Sequence, residues 1–309
     1  MRPLHRDDEV PCLVDRRPVG RRASDRRPTA ELGTVSTHVL TGDEPLRYLV
    51  FVPHGCEPKR LAVAVHGISR RARDQIEAFA PAACQAESVV AAPIFEPPAY
   101  NRYQRFGWNS RAERADLVMH RLIEKVGNET AVPSGRVSLF GFSGGGQFAH
   151  RYAMAYPERV AACAVASAGW YTFPDESRAF PYGLGDDGRG SADAFRFDPE
   201  RFLRVPMLVL VGEQDLERDA SFRTSRRLDR QQGRTRVDRA LNFVNSMRGR
   251  ADELGIAAQL EMTVVPGVAH HFRESAKAGI AERVFRFLYG NSITRRSQDG
   301  DRCDWDNES

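Results

Sequence analysis

Lysine is nearly absent from this chain. Lys59, Lys125 and Lys277 are its only examples, and arginine supplies the rest of its 45 basic residues. Against 41 acidic residues the formal net charge is only +4 over 309 residues. That balance excludes the broad cationic footprint of a nucleic-acid-binding chain. Cysteine is scarce and scattered: Cys12, Cys56, Cys84, Cys163 and Cys303 are odd in number and form no Cys-x-x-Cys pair. Such spacing supports neither a disulfide framework nor a zinc site, and it fits a reducing, cytoplasmic setting. Long hydrophobic runs are also missing. The longest, Val160 to Gly169, falls far short of the ~18 apolar residues that span a bilayer, so no membrane association is expected. Arginine pairs at 16–17, 21–22 and 26–27 are followed by no apolar stretch, so no export signal is expected either.

What is present is an alternating body between two polar ends. Residues 1–34 and 291–309 hold too little apolar surface to offset the entropy of ordering, and both are expected to be disordered tails. Between them, residues 35–290 read as one domain. Strand-like runs fall near 46–53, 61–66, 88–94, 136–141, 160–166, 206–212 and 258–265. Several, such as Leu61 to Val65 and Pro206 to Val211, are continuously apolar, as strands buried on both faces of a parallel sheet must be. Helical patterns lie between them, near 72–87, 111–127, 145–156, 235–254 and 276–289. In the second, Ala115, Val118, Met119, Leu122, Ile123 and Val126 form one stripe. This alternation predicts an α/β fold, a mostly parallel central sheet with helices on both faces. The runs near 35–53 lack an intervening helix and predict an antiparallel start. Residues 170–204 break the rhythm with eight aromatics among Gly, Asp and Arg. They read either as a short lid-like insertion or as a surface excursion tucked onto the sheet.

The chemistry centres on Gly141-Phe142-Ser143-Gly144-Gly145, which joins a strand-like run to a helix-like one. A serine hydroxyl is a poor nucleophile until a base stands within hydrogen-bond reach and an acid orients that base. In an open α/β sheet such groups lie beyond the carboxyl ends of strands, in the chain order Ser, Asp or Glu, His. Asp215 sits three residues past Gly212 after one apolar run, and His270 sits three past Gly267 after the next. Ser143, Asp215 and His270 are therefore the candidate catalytic residues. Glu213 and Asp219 are fallback acids, and His271 is the rival base. His66, ahead of Gly67 at the end of a buried run, is expected to brace its loop. His150, within the helix after the serine, is expected to be structural. The oxyanion hole needs two converging N–H groups, assigned to Gly144 and to Ile68, with Ser69 second.

Together, His66-Gly67, Gly141 to Gly145, Gly212 to Asp215 and Gly267 to His270 resemble the α/β-hydrolase superfamily over most of residues 45–289. Within it the chain is similar to bacterial serine esterases of the polyhydroxybutyrate-depolymerase and feruloyl-esterase type. Those enzymes commonly carry a cysteine directly after the His-Gly pair, where this chain has Ile68. They are also typically secreted, so a small soluble intracellular ester is the expected substrate here rather than a polymer.

The resemblance implies ester or thioester hydrolysis through an acyl-enzyme on Ser143, with no metal or organic cofactor. A serine peptidase or amidase of the prolyl-oligopeptidase-like kind is the alternative, and a noncatalytic hydrolase-fold binding protein is the third reading. Trp170, Tyr171 and Trp108 are candidates for an aromatic substrate pocket. The arginine-rich stretch 218–239 reads either as a solvated helix face or as a device at the site mouth favouring anionic substrates.

Overall fold

The apolar runs pair side by side as one sheet. Its strands are β1 (Gly33–Leu40), β2 (Leu46–Pro53), β3 (Arg60–Val65), β4 (Ser88–Ile94), β5 (Val137–Phe142), β6 (Val160–Ala166), β7 (Met207–Gly212) and β8 (Leu260–Val265). The structure is a computed structural model that describes residues 28–108, 113–186 and 197–290. The strand order is β1-β2-β4-β3-β5-β6-β7-β8. β1 pairs antiparallel with β2 and β2 with β4, and every other pairing is parallel. The runs without an intervening helix thus form the antiparallel edge, because a short connection can only return a strand alongside its predecessor.

Helices cover both faces. They are α1 (Thr29–Leu32), α2 (Ala72–Gln85), α3 (Ala115–Thr130), α4 (Gly144–Ala155), α5 (Pro199–Phe202), α6 (Arg226–Gln232), α7 (Arg236–Glu253), α8 (Phe272–Lys277) and α9 (Ile280–Tyr289). One core holds the α3 stripe, Phe148 and Tyr152 of α4, and Phe243 and Met247 of α7. The other packs Ile76 and Phe79 of α2 and Val284 and Phe285 of α9 on the opposite face. β3, β5 and β7 are almost wholly buried, which is why they read as unbroken apolar runs.

Two boundaries differ from the sequence reading. The expected tail 1–34 overlaps ordered chain: α1 and the first residues of β1 begin within it, because Leu32 packs on the second core. Residues 1–27 and 291–309 lie outside the described residues, as do 187–196 of the proposed insertion. The helix expected at 276–289 starts earlier and is divided, because Gly279 at φ 83° breaks it into α8 and α9.

Two glycines allow the serine turn. A Cβ on Gly145 would stand 1.9 Å from the Val65 carbonyl oxygen, and one on Gly141 would stand 2.1 Å from that of Gly145. α4 therefore rests backbone to backbone on β3 and β5. Gly145→Ala is expected to destabilise the protein by about 1–3 kcal/mol, since backbone must shift to make room. A urea-unfolding midpoint equal to that of the wild type would contradict this contact.

Candidate active site

Ser143 directly follows β5 and precedes α4 at φ 55°, a positive φ that a non-glycine residue rarely adopts. Its N–H is held by the Ala166 carbonyl at 2.8 Å, so the turn is anchored on the neighbouring strand. This lifts the hydroxyl clear of the sheet at the carboxyl ends of the parallel strands.

The loops after β7 and β8 reach the same place because they are bonded to one another. The Glu213 N–H donates to the Val265 carbonyl at 2.9 Å, and the Gln214 N–H donates to that of Val268 at 2.9 Å. The Gly267 N–H donates to the Glu213 carboxylate, also at 2.9 Å. The fallback acid Glu213 is therefore a loop brace. Asp215 and His270, each three residues past a strand-end glycine, come together: His270 Nδ1 lies 2.8 Å from Asp215 Oδ2. His270 Nε2 lies 3.0 Å from Ser143 Oγ. A carboxylate only accepts, so the proton sits on Nδ1 and leaves Nε2 free to accept from the serine hydroxyl. Phe142 stacks on the imidazole at 5.3 Å between centroids and 26° between planes, which fixes its tilt. His271 is exposed, its ring bonded to neither Ser143 nor Asp215, and its backbone begins α8.

Asp215 is buried and has a second partner. Arg236, at the start of α7, reaches Asp215 Oδ1 with Nη1 at 3.3 Å and Asp219 Oδ2 with Nη2 at 2.9 Å. Nη1 also donates to the Glu217 carbonyl at 3.0 Å. The Arg236 side chain is 2% exposed and that of Asp215 0%. The other fallback acid, Asp219, thus serves this cluster. Burial raises its pKa, but hydrogen bonds from Ser221 and Arg236 outweigh that and bring it down to about 2. Phe222 lies under Arg236 and Arg239, with guanidinium carbons 4.7 and 4.0 Å from its ring centroid. Arg239 is also buried, donating to Asp229 and to the Gly169 carbonyl. The stretch 218–239 is therefore not a plain solvated face: Arg236 meets the acid from beneath while Arg226, Arg227 and Arg230 stay exposed. Residue type and helical spacing could not reveal Arg236. The one hint was Phe222, an isolated aromatic in a polar stretch.

The loop after β3 is built as a rigid shelf. His66 Nε2 accepts from the Phe95 N–H at 2.9 Å, so Nδ1 carries the proton and donates to the Gly67 carbonyl at 2.7 Å. Tyr103 donates to the His66 carbonyl at 2.8 Å, and Arg70 donates to the carbonyls of Ile68 and Phe95, each at 2.9 Å. Ile68 lies against Gly144: a Cβ on that glycine would be 3.1 Å from Ile68 Cγ2. His150, buried in α4, accepts from the Thr172 N–H at 3.0 Å and donates to the Gly146 carbonyl at 2.8 Å.

Burial pushes the His66 pKa down to about 4, and it pushes His150 in the same direction. In the unfolded chain both titrate near the ordinary value of about 6.5. Between those limits the unfolded state binds protons that the folded state refuses, so stability falls as pH drops from about 6.5 toward 4. For His66 the loss is about 3 kcal/mol across that window. Urea midpoints measured between pH 7.5 and 4.5 should decline, and the slope should flatten in His66→Gln. An unchanged slope in that variant would remove His66 as the cause.

A cleft of about 290 Å³ opens at Ser143, walled by Ile68, Phe142, His270, His271 and Ser221 among others. None of the three proposed pocket aromatics lines it. Tyr171 is fully buried, stacked on Phe243 at 4.3 Å and 14°, with no face left for a ligand. Trp108 packs edge-on against Phe180. Trp170 is 6% exposed and lies between Arg151 and Tyr182. The aromatics of 170–204 divide accordingly, with Phe173, Phe180 and Phe202 also in the core.

No family model matches the chain, and no curated protein matches it. Among solved structures it is similar to poly(aspartic acid) hydrolase-1 from Sphingomonas sp. KT-1, at 23% identity and a TM-score of 0.70, covering 83% of this chain and 99% of that one. A second is LpqC, the poly(3-hydroxybutyrate) depolymerase of Bordetella parapertussis, at 23% identity and a TM-score of 0.68, covering 87% and 95%. A third, an S-formylglutathione hydrolase from Agrobacterium tumefaciens, matches at 16% identity and a TM-score of 0.55 over 83% and 95%. The chain has the α/β-hydrolase fold. Among the described residues no helix is long and apolar enough to cross a membrane.

Proposed function

We propose that this protein is a serine hydrolase that cleaves carboxylic esters through an acyl-enzyme on Ser143. The observation that carries the reading is the continuous chain from Ser143 Oγ to His270 Nε2 at 3.0 Å and from His270 Nδ1 to Asp215 Oδ2 at 2.8 Å. His270 takes the hydroxyl proton as the oxygen attacks the ester carbonyl. Asp215 holds the imidazole in the required tautomer and stabilises its cation. The oxyanion forms beside the N–H groups of Gly144 and Ile68, at the N-terminus of α4, where the helix dipole favours negative charge. His270 then returns the proton to the leaving alcohol. Water, activated by the same imidazole, attacks the acyl-enzyme and releases the acid. Each step uses side chains and backbone groups of this chain alone.

The likeness to hydrolases described as acting on polyhydroxybutyrate and S-formylglutathione supports an ester or thioester, and the likeness to poly(aspartic acid) hydrolase-1, named for a polyamide, keeps the amidase as the alternative. Turnover of a short-acyl 4-nitrophenyl ester beside a matched 4-nitroanilide tests this. Cleavage of the ester alone is expected. Preferential cleavage of the anilide would replace the esterase reading by an amidase one.

A further inference from the structure

Near Ser143 three arginines come together, and among the described residues none of them pairs with an acid. Arg151 of α4 is fully buried. It spends Nε on Thr172 Oγ1 at 2.8 Å and Nη1 on the carbonyls of Gln104 and Gln147 at 2.6 and 3.0 Å. Its Nη2 is buried with no hydrogen-bond partner. The guanidinium lies 4.2 Å from the Trp170 ring centroid. Arg223, exposed, stands 5.6 Å from the same ring and 5.6 Å from that of Tyr182. Arg105, half-buried, completes the group: it directly follows Gln104, whose carbonyl Arg151 holds, and burial followed by neighbouring guanidiniums lowers the pKa of both Arg151 and Arg105. Among the described residues no carboxylate lies within ion-pair distance of any of the three.

This group adjoins the reacting centre. Gln104, whose carbonyl Arg151 holds, has its Cγ 3.3 Å from where a Gly144 side chain would begin. Gln147, whose carbonyl also accepts from Arg151, donates its own N–H to the Ser143 carbonyl at 3.1 Å. Gly169, one residue before Trp170, faces the Gln147 amide. Elsewhere the buried arginines of this protein are matched: Arg236 by Asp215 and Asp219, Arg239 by Asp229. Three mutually repelling guanidiniums that no described carboxylate neutralises are destabilising, and an anion placed among them relieves that repulsion.

We propose that Arg223 and Arg105, with Arg151 behind Trp170 adding its field, form a subsite for an anionic group, so that the preferred ester carries a carboxylate on its acyl or alcohol part. This rests on the ester-hydrolase reading of Ser143. Arg223, exposed, and Arg105, half-buried, supply the hydrogen bonds, and the aromatic faces of Trp170 and Tyr182 hold the plane of Arg223.

The test compares 4-nitrophenyl hexanoate, which is neutral, with 4-nitrophenyl hemiadipate, charged on the acyl side, and 4-hexanoyloxy-3-nitrobenzoate, charged on the alcohol side. One of the two anionic esters is expected to show kcat/KM about tenfold above the neutral ester at low ionic strength. That ratio should fall with added salt. It should collapse toward one in Arg223→Gln and Arg105→Gln and survive in Arg223→Lys. A wild-type ratio of one or less for both anionic esters, or a ratio unchanged by the Gln substitutions, would overturn the subsite while leaving ester hydrolysis intact. Failure to cleave any of the three would overturn the underlying reading as well.

Discussion

His270→Ala is expected to lower kcat for ester hydrolysis by about four to six orders of magnitude, while His271→Ala keeps most of the activity. The contrast matters because both histidines border the cleft and stand side by side in the chain. Only His270 bonds Ser143 and Asp215 at once, at 3.0 and 2.8 Å. Without its imidazole nothing within reach can take the hydroxyl proton, and the residual rate comes from binding and oxyanion stabilisation alone. His271 contributes its backbone to the start of α8 and leaves its ring exposed. Steady-state kinetics of the two variants check this. A large loss in His271→Ala with His270→Ala active would assign the base to the wrong residue.

The second large effect is expected at a residue that never reaches substrate. Arg236→Met should destabilise the fold by about 3–5 kcal/mol, because it leaves the buried Asp215 carboxylate without its counter-charge. Its methylenes and those of methionine fill similar space, so the loss reflects charge more than volume. Arg236→Lys should recover part of it, since an ammonium can neutralise one carboxylate but cannot span both Asp215 and Asp219. Urea unfolding of both variants is the measurement. A Met variant as stable as the wild type would mean that Arg236 only fills space. A double change, Arg236→Met with Asp219→Asn, should lose less than the two single losses summed, because the pair shares one network.

Much of this was legible in the residues. Buried parallel strands must be apolar on both faces, so β3, β5 and β7 announced themselves as unbroken runs. The catalytic candidates followed from counting past strand-end glycines, and the structure brings those counted residues within hydrogen-bond distance. His66 and His150 were expected to be structural, and each ring bonds backbone on both nitrogens. What escaped depended on contacts distant in sequence. An arginine among eight in 218–239 carries no mark of burial, yet Arg236 lies under the acid, because Phe222 and the α7 capping box at Thr235 and Asp238 set its approach. Tyr171 and Trp170 are neighbours of similar type, yet one stacks in the core and the other lies between arginines. Aromatic character alone does not separate a core residue from a pocket wall. The broken helix at 272–289 turned on the backbone angle of Gly279, which no hydrophobic pattern encodes.

Ester hydrolysis by this protein depends on Ser143 being the nucleophile. The direct measurement is labelling with a fluorophosphonate, followed by mass spectrometry of the tryptic peptide 137–151, which contains Ser143 as one of its two serines with Ser138. A single adduct on Ser143 is expected, absent from Ser143→Ala and strongly slowed in His270→Ala. No adduct, or equal labelling of Ser143→Ala, would contradict it.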